Sequence, residues 1–187
     1  SWNSLPISER AAIIKKTGEL LLERKEELGK LITIEMGKPI SQSISEIEKC
    51  AWNCTFYSEN AEKFLQDEIV ETDTKKSYVT FEPLGTILGI MPWNFPFWQA
   101  IRFIVPALIA GNTAVLKHAS NVPQCALAIE TILTDAGLPE NVFKTLLIDS
   151  SIVTKLIESD FIDAASLTGS TQAGMSVAEI AGRNIKK

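Results

Sequence analysis

Residues 86–120 read TILGIMPWNFPFWQAIRFIVPALIAGNTAVLKHAS. The stretch holds a short apolar run at 86–91, a helical run at 97–111 and a second short apolar run at 113–117. The short runs carry Gly and β-branched residues and are too brief for helices, so they predict buried strands. Gly111 predicts the cap that ends the helix between them. Strand, helix and strand in close succession begin a parallel unit. The pattern continues: a helix over 122–137 with Pro123 in its first turn and Gly137 past its end, a strand over 142–148, a short helix over 151–159, a strand over 163–169 and a helix over 170–182. Strand and helix alternating four times argue for a parallel sheet with helices on its faces.

The fold class expected is therefore α/β: a Rossmann-like parallel sheet with helices on both faces, preceded by a helical N-terminal arm and a β-hairpin. The arm occupies 1–67, the hairpin 68–83 and the core 84–187. Pro6 is suited to a helix start because its missing N–H is not needed there. Ile13, Ile14, Thr17, Leu20 and Leu21 recur at helical spacing. A second helix near Lys25–Met36 meets two stop signals, Gly37 and Pro39. In the third, Ile40, Ile44, Ile47, Ala51, Cys54, Tyr57, Ala61 and Leu65 form one apolar stripe. Two β-like runs then flank a polar TDTKK turn, with Lys and Asp on what reads as an edge.

Composition narrows the function. A chain of 187 residues that is 45% hydrophobic and 22% charged is globular. A net charge of −5 with scattered Lys and Arg argues against a nucleic-acid partner. No apolar run is long enough to span a bilayer, since Pro106 interrupts the longest. No signal peptide is visible, so cytoplasmic localisation is expected. Three cysteines are too few for a disulfide framework. Cys50 and Cys54 lie one turn apart without further ligands and read as core thiols, as does Cys125; no metal site is expected. The sequon Asn53-Cys54-Thr55 falls in a helix and carries no weight.

In a parallel sheet, ligands bind at the carboxyl ends of the strands. Pro92-Trp93-Asn94-Phe95-Pro96 follows the first strand, Lys117-His118-Ala119-Ser120 the second, and Gly169-Ser170 the fourth, where a helix opens. Free N–H groups and the helix dipole there favour an anion, although a plain Ser N-cap after a glycine turn fits as well. Lys117 has an alternative as a solvated lysine at a strand end. A lone His118 is more often structural or exposed than catalytic. Asn94, one amide in a rigid aromatic loop, is the residue that asks for a chemical explanation.

With these clusters in place, the chain resembles the NAD(P)-dependent aldehyde dehydrogenases. EPLGTILGIMPWNFPFWQ at 82–99 carries the strongest likeness, followed in order by PALIAGNTAVLKHAS at 106–120, AGLPENVF at 136–143 and LTGSTQAG at 167–174. LPISERAAI at 5–13 and EMGKP at 35–39 agree at the front. The resemblance implies that a cysteine thiolate attacks an aldehyde, hydride passes to NADP or NAD, and water releases the acid. It implies that Asn94 is the oxyanion donor and that Trp93 lines the cofactor pocket. Lys117, with His118, Ala119 and Ser120, belongs to the cofactor-binding set, Lys117 at the adenosine ribose. Gly169 and Ser170 lie at the pyrophosphate. Ser120 stands where NAD-preferring members often carry Glu, which implies acceptance of NADP. Arg102 stands where succinate-semialdehyde dehydrogenases have an arginine, which implies an acidic aldehyde; a surface arginine is the alternative.

The chain departs from the family at Phe103, where many members have lysine, and at Asp149-Ser150-Ser151, in place of a glycine-rich turn. By this resemblance it also stops before the general base and the nucleophile, and begins inside the family's first helical region. It is expected to be an N-terminal cofactor-domain fragment whose partners are a small-molecule aldehyde and, when full length, further copies in a homo-oligomer, with no nucleic acid and no membrane. A stand-alone nucleotide-binding module and an oligomerising remnant are the competing readings.

Overall fold

The computed structural model describes residues 1–187. After a 3-10 turn at Trp2–Ser4, the arm consists of α1 (Ile7–Glu23), α2 (Lys25–Met36) and α3 (Ile40–Leu65). Gly37 ends α2 in the left-handed conformation, φ 79°, which costs a residue without Cβ little. α3 buries Ile47, Cys50, Ala51, Cys54 and Ala61, the centre of the expected stripe. Ile40, at its first turn, is exposed.

The hairpin is short. β1 (Glu68–Ile69) and β2 (Tyr78–Val79) pair antiparallel, Glu68 opposite Val79 and Ile69 opposite Tyr78, and all four residues are exposed.

The core sheet is built from β3 (Thr86–Met91), β4 (Thr113–His118), β5 (Phe143–Thr145) and β6 (Ala164–Leu167). All neighbours are parallel and the order is β5-β4-β3-β6. The connections carry α4 (Pro96–Ile109), α5 (Pro123–Asp135) and α6 (Val153–Glu158), and α7 (Thr171–Arg183) follows β6. Strand order reverses direction between β3 and β6, which opens a crevice at their carboxyl ends.

Alternation sorts the strand residues onto two faces. Met91, Ala114 and Leu116 join α4 and α5 in a core of 32 buried residues that runs on into α1, α2 and α3. Leu88 faces the other way and packs with Val153, Ile157, Ile162 and Ala181, a cluster of only five. Most of the burial therefore lies on the arm side, so the arm and the sheet share one packed body. Gly89 permits this face to close: a methyl there would overlap the Phe103 ring of α4.

The arm also holds α4 at its far end. Its last carbonyls have no partner within the helix. Trp2 Nε1 donates to Leu108 O at 2.9 Å, and Arg10 Nε donates to Ile109 O at 3.0 Å. The buried guanidinium also sits favourably at the negative end of the helix dipole.

The third core strand differs most from expectation. Only Phe143–Thr145 of the 142–148 run is strand. β5 is an edge with one neighbour, and Leu147 is 61% exposed. The apolar residues beyond Thr145 leave the sheet and form a cleft wall. The helix expected over 151–159 begins as a 3-10 turn, Ser150–Ile152, before α6. No helix is long and apolar enough to cross a membrane.

Candidate cofactor and substrate site

Strand register brings the three clusters to one edge. Ile90 lies level with Lys117 on one side and Leu167 on the other. The segments that follow leave the sheet side by side, about 5 Å apart per strand. Leu116 is level with Thr145, which sets Leu146–Asp149 beside Ser120.

Lys117 shares its face with Val115, which packs against the α6 and α7 cluster. Its side chain therefore leaves the sheet on the α7 side, and it forms no ion pair. Ala119, Ser120, Pro123, Leu146 and Asp149 line a cleft of about 260 Å³ with His118. The Asp149 carboxyl is held below its usual range, first by hydrogen bonds from Ser151 and also by the charge of Lys117.

His118 is buried and both ring nitrogens are engaged within the chain. Nδ1 accepts from the Ala119 N–H at 2.8 Å, which leaves Nε2 as the donor to Pro96 O at 2.9 Å. Burial lowers the imidazole pKa, opposed by the bond to Pro96. The ring is thus a neutral tie between the end of β4 and the start of α4.

Three of the longer helices, α4, α5 and α7, begin at this edge, and their N-termini are not equivalent. The residues before α4 and α5 are Phe95 and Val122, neither of which caps with its side chain. Carboxylates from the arm do so instead. Glu46 accepts from Phe97 N and Trp98 N at 2.9 and 3.0 Å. Glu35 accepts from Gln124 N and Cys125 N, both at 2.8 Å. The start of α7 meets no acidic residue: Ser170 Oγ accepts from Ala173 N at 3.2 Å, and Gly169 and Ser170 are exposed. An anion arriving at this edge finds two helix N-termini taken by carboxylates and one open.

On the opposite face, Arg102 Nη2 donates to Thr168 Oγ1 at 2.9 Å across the β3–β6 crevice. The guanidinium is exposed and unpaired with any carboxylate. It borders a cleft of about 490 Å³ with Asn53, Tyr57, Met91, Trp98 and Thr168. Asn94 sits in the loop between β3 and α4, where the two faces meet. It is exposed, as are Trp93 and Phe95, and its amide is bonded to no other group of the chain. From Pro96 to Arg102, α4 rises about 9 Å.

The cysteines lie apart from this edge's chemistry. Cys50, Cys54 and Cys125 are buried. Burial pushes the Cys54 thiol up to about 12 and raises the other two, with Glu35 adding to the effect at Cys125. All three rest as inert thiols near neutral pH.

Sequence reasoning did not single out Glu35, Lys38, Glu46, Arg10 or Trp2. For the two glutamates a signal was available: α4 and α5 start without any Ser, Thr, Asp or Asn at the N-cap, so their caps had to come from elsewhere.

A parallel sheet with helices on both faces, with loop clusters gathered at its carboxyl edge, places the chain among the Rossmann-like α/β domains. The whole chain, residues 1–187, matches the aldehyde dehydrogenase family, and the protein belongs to that family. A Synechocystis relative named a probable NADP+ succinate-semialdehyde dehydrogenase is 51% identical over 187 residues, covering 100% of this chain and 41% of the relative. A Mycobacterium avium relative, an NADP+ succinate-semialdehyde dehydrogenase, is 44% identical over 98% of this chain and 40% of its own. The crystal structure of succinic semialdehyde dehydrogenase from Streptococcus pyogenes with NADP+ superposes with a TM-score of 0.96 at 33% identity, over 100% of this chain and 41% of that one. The chain thus spans about two fifths of the length of these relatives.

Proposed function

We propose that residues 1–187 are the NADP-binding part, and one wall of the substrate site, of an aldehyde dehydrogenase that oxidises succinate semialdehyde to the carboxylic acid. The observation that supports it most is the pairing of a free amide in the loop before α4 with a free cation on that helix. Asn94, just before α4, points no bond inward, and Arg102, two turns on, is unpaired at a cleft. An aldehyde with a carboxylate at its far end satisfies both. The Asn94 amide donates to the oxygen that gains charge when the aldehyde is attacked, and Arg102 binds the distal carboxylate. The attacking thiolate comes from outside residues 1–187, since the three thiols here are buried and protonated.

The residues at the edge fit a dinucleotide. The start of α7 with Gly169 and Ser170 suits a pyrophosphate. Lys117 reaches the ribose from the same face, and Trp93 walls the nicotinamide side. Ala119 and Ser120 line the adenosine cleft, and His118 holds that strand end in place rather than donating to the ligand. When bound, the nicotinamide supplies the hydride acceptor. The relatives bearing NADP+ in their names agree with Ser120, which puts no negative charge beside a 2′-phosphate.

The domain limits 1–67, 68–83 and 84–187 belong to this reading, as does a role for the exposed hairpin, with Ile69, Tyr78 and Val79 uncovered, in joining copies into a homo-oligomer. Action in the cytoplasm is part of it too. Ser120→Glu in the full-length protein tests the cofactor assignment. The ratio of kcat/KM with NADP+ to that with NAD+ is expected to fall at least about tenfold through like-charge repulsion. An unchanged ratio would remove Ser120 from the cofactor site.

A further inference from the structure

We propose that Glu46 and Lys38, a buried ion pair on the arm, are positioning residues that aim the Asn94 amide. The proposal rests on the reading of Asn94 as the oxyanion donor. Asn94 has no bond of its own to fix it, so its direction depends on the backbone of residues 92–96. Proline on both sides restricts that backbone but does not anchor it to the body. On the arm side the anchor is a single carboxylate. Glu46 Oε1 accepts from the first two free amides of α4, Phe97 N and Trp98 N, from 51 residues away in sequence. Its other oxygen, Oε2, meets Lys38 Nζ at 2.5 Å. Lys38 Nζ in turn lies 3.6 Å from the centroid of the Phe95 ring, a cation–π contact on the residue next to Asn94. His118 Nε2 ties Pro96 O from the sheet side.

One acid thus grips the helix start, and through its lysine grips the ring before it. Both side chains are nearly sealed, with 7% of Lys38 and 1% of Glu46 exposed, so solvent screens the ion pair little. An ordinary N-cap would need only a Ser or Asp at position 95. The chain spends Phe there instead, and a buried charge pair does the capping while also holding the aromatic. A local cap would fix the helix. This arrangement fixes the loop as well.

The test uses the full-length enzyme that carries this chain, as Glu46→Gln, Asn94→Ala and the double variant. The readouts are kcat, KM for succinate semialdehyde and Kd for NADP+ by calorimetry. Glu46→Gln is expected to lower kcat about tenfold, as a displaced catalytic group does, with Kd for NADP+ little changed. In the Asn94→Ala background the same substitution is expected to cost less than about twofold, because both effects run through one amide. An unchanged kcat for Glu46→Gln, or an equal loss in both backgrounds, overturns the proposal and leaves Asn94 standing. An unchanged kcat for Asn94→Ala overturns both. If Glu46→Gln does not fold, Lys38→Gln carries the same cycle. Lys38→Arg, which keeps a cation between Glu46 and Phe95, is expected to recover most of kcat; recovery no better than Lys38→Gln counts against the proposal.

Discussion

Asn94→Ala in the full-length protein is expected to lower kcat for succinate semialdehyde by about 10²–10³-fold, the worth of one preorganised donor to a developing oxyanion. NADP+ affinity is expected to hold, because the role proposed for the amide is at the reacting carbonyl and not at the dinucleotide. The size of the effect follows from the geometry. The loop's backbone is restrained by Pro92 and Pro96, by the Glu46 cap on α4 and by the His118 bond to Pro96 O. A donor on a backbone so restrained needs less reorganisation when charge appears, and its loss cannot be made up by a neighbour, since Trp93 and Phe95 offer no comparable amide side chain. Asn94→Asp extends the test. It keeps the shape but replaces the donor with a negative acceptor, so its kcat should be no higher than that of the Ala variant. A full rate with either substitution would contradict the role.

Arg102→Ala should separate substrates instead of slowing all of them. A charge-assisted hydrogen bond is worth about 1.5–3 kcal/mol, so kcat/KM for succinate semialdehyde should fall about 10- to 100-fold while a neutral aldehyde of similar length is nearly unaffected. The prediction depends on the guanidinium being free to take a carboxylate. It donates only to a hydroxyl, Thr168 Oγ1 at 2.9 Å, a bond that orients the side chain without neutralising it. Arg102→Lys keeps the charge but not the planar fork, and should fall between wild type and Ala on the acidic substrate. Equal losses on acidic and neutral aldehydes would reduce Arg102 to a structural role.

Much of the architecture was legible because its signals are local. Gly and Pro punctuated α2, α4 and α5, and the apolar runs at 86–91 and 113–117 could only be buried strands. The run at 142–148 misled because hydrophobicity does not distinguish a strand from a cleft wall; beyond Thr145 the chain leaves the sheet, and Leu147 is exposed. The site clusters were legible from topology, since residues after parallel strands must share an edge.

Their support was not. Glu35 and Glu46 lie in the arm, 89 and 51 residues from the amides they cap. No periodicity links such positions, and a charged residue in a helix normally reads as solvated surface. In EMGKP, Glu35 caps α5 and Lys38 pairs with the acid that caps α4. Those five residues therefore tie the arm to both helices that follow the site loops. His118 shows the same limit. Its place in the cluster was readable, but only the paired bonds to Ala119 N and Pro96 O show that the ring is already spent.

The most direct test of the proposed function is the rate at which the purified full-length protein reduces NADP+ with succinate semialdehyde, set against the rates with NAD+ and with a neutral aldehyde of the same length. Turnover with NADP+ that is fastest on the acidic aldehyde is the expected result. No reduction of nucleotide, or a preference for the neutral aldehyde, would contradict it.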